Sequence, residues 1–181
     1  MSLGPQREIE AALRDARNLA SSLTGEQMNW RPAPGVWSVA ECLDHLTITG
    51  RRMMKAMDAA VDELRAKNMP YAGPARPSFI GRLFLKILEP PVRKMKVKAP
   101  VEFVPNPDRP AHLVLSEFTI AHEELLHRFP DFEAWDQNPR SVVSPFNTRI
   151  RYSLGLALTI IPAHMRRHLW QARQVIQQRG S

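Results

Sequence analysis

"IIPAHMRRHLWQARQV", residues 160–175, repeats its small and apolar side chains at steps of three and four. With Ala157 just upstream, Ile161, His164, His168, Ala172 and Val175 form one stripe of an amphipathic helix. Arg166 and Arg167 fall on another side of it. The pattern predicts a long helix from about Tyr152 or Ser153 to Gln178. Two histidines therefore sit, one turn apart, on a face that should turn toward a core.

Three further segments share that periodicity. Residues 6–22 carry Ile9, Leu13, Ala16 and Leu19 at helical spacing. A loop with two prolines and two glycines, "TGEQMNWRPAPGVW" (24–37), follows. The next helix announces its own start. Ser38 is followed three residues later by Glu41, so each side chain can satisfy the other's backbone amide in a capping box. Its apolar stripe runs through Leu43, Leu46, Met53, Met57 and Leu64 to about Lys67. A third long helix is predicted from about Pro110 to Arg128, with proline at its first turn.

Between the second and third long helices the chain changes character. Nine of its 16 prolines lie between Pro70 and Pro110, which forbids any long helix there. One apolar island, "SFIGRLFLKIL" (78–88), reads as a short helix, and "VEFVP" (101–105) reads as extended. Four long amphipathic segments with scarcely any strand predict an all-α fold, a four-helix bundle. The Pro-rich crossover between helices two and three is far longer than a simple bundle loop. At 181 residues, a single domain spanning 1–181 is expected.

Composition narrows the functional classes. The longest greasy stretch, "LGLALTIIPA", is about half of what a membrane span requires. The single cysteine, Cys42, allows no internal disulfide, which fits a reducing compartment, and a cytoplasmic location is expected. The net charge of +7 raises the question of nucleic acid. Much of it falls in "VRKMKVKAP" (92–100) and in Arg166, Arg167, Arg173 and Arg179, without interleaved aromatics or a base-reading motif. A solvated basic surface is the better reading.

The two histidines bear on chemistry. On a helix, residues four apart have Cβ atoms about 5–6 Å apart, so two imidazoles can share one ion. With six histidines in the chain, about 0.2 such pairs arise by chance, so spacing alone is not specific. Placement adds weight, because two imidazoles stacked on a core stripe are hard to satisfy without a shared ligand. A third ligand should come from another helix, and His45 is the best candidate, one position from the core residue Leu46. His112, His122 and His127 lie among acidic neighbours on the third long helix and are expected at the surface or a helix end. Cys42 is either a fourth ligand or a simple packing residue, and packing is favoured. Glu41 is a weaker candidate partner for His45, since the capping box already explains it. Trp37 is placed to staple the helix entrance, while Trp30 and Trp170 cover the core or line a pocket.

"PGVWSVAECLDHL" (34–46), followed 119 residues after its histidine by "HMRRHLWQARQV" (164–175), resembles the DinB-like superfamily, which includes relatives of bacillithiol and mycothiol S-transferases. The resemblance implies a four-helix bundle holding a divalent ion, commonly zinc or nickel, and often a homodimer. Carried onto this chain, it implies His45, His164 and His168 as ligands, the same three that spacing selects. Three histidines leave an open position for water or substrate. The segment between His164 and His168 is Met-Arg-Arg, so the glutamate of a metalloprotease helix is absent. The functional expectation is a metal-dependent thiol transferase or hydrolase acting on a small molecule. The alternative is a non-catalytic metal-binding bundle.

Overall fold

The computed structural model of the chain describes residues 4–91 and 99–179. Among them are six α-helices: α1 (Pro5–Ser21), α2 (Gly25–Asn29), α3 (Val39–Ala66), α4 (Phe79–Leu88), α5 (Ala111–Glu133) and α6 (Leu154–Arg179). The only sheet among these residues is a hairpin of two-residue strands, β1 (Val142–Val143) and β2 (Arg151–Tyr152). The described residues are thus mostly helical, as the periodicity predicts. No helix among the described residues is long and apolar enough to cross a membrane. The basic run at 92–98 lies outside the described residues.

Local sequence explains where the helices begin. At α3 both arms of the capping box form: the Glu41 amide donates to Ser38 Oγ at 3.1 Å, and the Ser38 amide to Glu41 Oε2 at 2.8 Å. A second capping box, Thr24 with Gln27, starts α2 inside the segment expected to be loop. Ser78 caps α4 by accepting from the Gly81 amide.

Two boundaries differ from expectation. Helix α5 runs on to Glu133 through Pro130. Near a helix end the missing proline N–H costs one bond, and the fully buried rings of Phe129 and Phe132 hold the last turns against the core. Residues 101–103 form a 3-10 turn rather than an extended segment. Pro100 precedes that turn, and Phe103 is its only buried residue.

The long helices pack in a closed order. α3 lies against both α5 and α6, and α1 lies against the same two. Ile9, Leu43, Leu46, Met57, Phe118, Leu125, Phe129 and Met165 fill the space between them. The crossover helix α4 rests on the outside of α6. It approaches closely enough that a side chain at Gly81 would place its Cβ 2.9 Å from Leu156. Arg166 binds Glu89 at the end of α4, and Arg167 donates to the Ile87 carbonyl at 3.1 Å. The two arginines between the histidines therefore face α4, as their phase on the helix requires.

Candidate metal centre

Helices α3 and α6 bring three imidazoles to one point. His45 Nε2 lies 3.4 Å from His164 Nε2, and His168 Nε2 lies 3.1 Å from the same atom. All three possible ligand atoms fall within 4.8 Å of one another. Nitrogens on adjacent corners of a tetrahedron with bonds of about 2.0–2.1 Å are about 3.3–3.4 Å apart, so the two closest pairs are near the spacing a small divalent cation needs.

Proton accounting sharpens the point. His45 Nδ1 donates to the Phe103 carbonyl at 2.7 Å, and a carbonyl can only accept. A neutral His45 therefore has its one proton at Nδ1 and turns a lone pair on Nε2 toward the other rings. His164 Nε2 faces both neighbours. If it carries a proton, that proton must be shared between two lone pairs; if it does not, its own lone pair opposes that of His45. Three neutral rings cannot supply a full hydrogen bond to each of these contacts, whereas a cation would accept every lone pair. His168 Nδ1 adds a buried nitrogen without a hydrogen-bond partner of good geometry. The adjacent Gln171 exerts only the smallest of the influences on that ring.

Electrostatics keep the cluster neutral. Burial holds His45 and His168 below the ordinary histidine range, and the neighbouring imidazoles depress His168 further. Burial and the proximity of His45 lower His164 as well. Neutral imidazole is the form that binds a metal.

The surroundings are aromatic, and among the described residues no carboxylate joins the cluster. The Trp37 ring lies 4.8 Å from that of His45 and 5.8 Å from that of His168, so Trp37 walls the cluster as well as standing at the helix entrance. Phe146, 37% exposed, stacks on Phe103 and presents an edge to His164 at 6.4 Å. Glu41 is occupied by the capping box and by Arg31 at 2.7 Å, so the partner of His45 is the Phe103 carbonyl. Asp44 is buried and ties down the chain beyond Phe103, accepting from the Asn106 amide at 2.9 Å and from Arg109 at 2.7 Å. Cys42 is fully buried, outside the histidine cluster, and burial pushes its thiol up.

One expectation fails. His112 and His127 are exposed, but His122 is 1% exposed. It donates from Nδ1 to the Phe118 carbonyl at 2.7 Å, and its ring lies 4.3 Å from that of Phe118. Gly50 of α3 makes room for it, since a Cβ there would lie 3.3 Å from His122 Nε2. Residues 118, 122, 125 and 129 form a helical stripe, which is the signal that outweighs the acidic neighbours Glu123 and Glu124. The roles of Phe103 and Phe146 had no such signal, because one acts through its backbone and the other across a long loop.

Comparison with known proteins gives one match of broad extent. The family model of the DinB superfamily matches residues 8–172. No curated protein and no solved structure matches significantly. The matched span covers α1 through most of α6, including all three clustered histidines, and the chain belongs to the DinB superfamily.

Proposed function

We propose that His45, His164 and His168 bind a divalent cation, zinc or nickel, and that the protein is a metal-dependent enzyme acting on a small molecule. On this reading the four long helices form a four-helix bundle within a single domain over residues 1–181, with the ion between α3 and α6. The observation that carries it is the convergence of three neutral imidazoles whose proton inventory leaves lone pairs facing one another.

When bound, such an ion supplies Lewis acidity that stabilises a deprotonated oxygen or sulfur nucleophile near neutral pH. The protein's own groups do the rest. The Phe103 carbonyl fixes the tautomer and orientation of His45, and Asp44 with Arg109 steadies the segment beyond it. Trp37 shields one side of the cluster.

The choice between thiol transfer and hydrolysis turns on two features. Three neutral ligands leave the full charge of the cation uncompensated, which favours an anionic fourth partner such as a thiolate. The acids nearest His45 in sequence, Glu41 and Asp44, are engaged by Arg31 and Arg109 and offer no free general base. A thiol, more acidic than water, would need only to release its proton to solvent, so we favour transfer from a low-molecular-weight thiol over hydrolysis.

Elemental analysis of the purified protein and of His164→Ala tests the site. About one equivalent of metal in the wild type and almost none in the variant is the expected result; equal content in both removes the proposal. Turnover of model electrophiles with a panel of small thiols then tests the reaction. Silence with every metal and thiol would leave a non-catalytic metal-binding protein.

A further inference from the structure

The crossover helix α4 has two apolar faces. Gly81, Leu85 and Leu88 are turned to the rest of the protein, where Gly81 meets Leu156 of α6. At about 100° per residue, Phe79, Ile80, Leu83, Phe84 and Ile87 fall within an arc of about 140° on another side. Those five are 73%, 77%, 49%, 44% and 42% exposed. A helix that is apolar on most of its circumference is normally buried, yet only one side of α4 is covered.

The remaining strip of the helix carries Arg82 and Lys86, both exposed and neither in an ion pair among the described residues. Glu89, the only acidic residue between positions 76 and 98, is neutralised by Arg166. In sequence that same stretch holds seven basic residues, and four of them follow the helix in "RKMKVK" (93–98). An exposed apolar face whose exposed charged neighbours on the helix are all positive is suited to a broad anionic surface. A second copy of the same face is a poor occupant, because symmetric pairing would bring Arg82 and Lys86 toward their own counterparts.

We propose that the open face of α4 seats the protein peripherally on an anionic lipid bilayer. Phe79 and Ile80, at the outer end, enter the boundary between headgroups and acyl chains, and Arg82 and Lys86 lie along the headgroups. Arg166 and Arg167 hold the base of the helix to α6, so the whole domain is carried to the surface with it. The proposal is independent of the metal-site reading.

Co-sedimentation of the full chain with vesicles of phosphatidylcholine, with and without phosphatidylglycerol, tests it. The expected result is binding to the anionic vesicles that falls as salt is raised, and at least about tenfold weaker binding to neutral ones. The Phe79→Ser/Ile80→Ser variant should keep its helicity and metal content and lose at least about tenfold in vesicle binding. Should that variant misfold, Arg82→Glu/Lys86→Glu decides the same question by the same loss. No binding of the wild type to anionic vesicles, equal binding to neutral ones, or unchanged binding by the folded variant would overturn the proposal. So would a wild-type dimer that does not bind vesicles and that Phe79→Ser/Ile80→Ser dissociates, since the face would then belong to a second copy.

Discussion

The buried His122 makes a measurable claim about how stability depends on pH. Burial pushes its pKa down to about 4 from the ordinary histidine value of 6.5, against a partial offset from its bond to the Phe118 carbonyl. Between those two values the unfolded chain binds the proton more readily than the folded one, so stability rises with pH. The contribution is fully present above about pH 6.5 and is lost as the pH falls toward about 4. At 1.36 kcal/mol per unit, the loss from neutrality to about pH 4.5 is about 2.5 kcal/mol. His122→Phe removes the titrating group while keeping a ring against Phe118. Urea unfolding of both proteins, with a chelator present, at about pH 7.5 and about pH 4.5 gives four free energies. The clustered histidines titrate in both proteins and largely cancel in the difference, since the influence of His122 on His164 is the smallest acting on that ring. The wild type should lose about 2.5 kcal/mol more than the variant on acidification. Equal losses would refute the burial assigned to His122.

Other perturbations probe other parts of the molecule. Gly155→Ala should destabilise the protein by about 1–3 kcal/mol, read as a lowered Tm, because the new Cβ would lie 2.3 Å from Ala75 Cβ and 3.1 Å from the Gln137 carbonyl. Glu41→Ala removes a capping box and an ion pair and should cost about 1–2 kcal/mol without changing metal content; a loss of metal would return Glu41 to the site. Asp44→Asn should weaken metal binding about tenfold in competition with a chelator, by loosening the segment that orients His45; unchanged affinity would show that the Phe103 carbonyl needs no such support. Cys42, buried with its thiol pKa raised, should resist alkylation in the native protein and react promptly in denaturant.

What could be read from the sequence was mostly local or periodic. The start of α3 needed only Ser38 and Glu41, three residues apart, and both arms of the predicted box formed. The phase of α6 put His164 and His168 on one side and Arg166 and Arg167 on another, and the structure keeps that division. The convergence of His45 on them, from 119 residues away, was legible because α3 had an equally clear phase. Failures came where distant contacts overrode local preference. Acidic neighbours pointed His122 outward, yet the gap at Gly50 on a different helix accommodates it. The helix expected to end near Arg128 continues past Pro130 to Glu133, because Phe132 is drawn into the core. The carbonyl that orients His45 belongs to a residue whose side chain says nothing about it, so no motif could have named Phe103.

Helix α6 addresses two opposite sides of the molecule within five consecutive residues, with imidazoles inward and guanidinium groups gripping α4. Deleting one residue from 165–167 would rotate everything beyond it by about 100°. The imidazole pair would fall out of alignment and the grip on the crossover would slip in the same event. The length of that short interval is therefore constrained twice over. Even with no demand from the histidines, the interval would be held to its length for as long as α4 must stay in place.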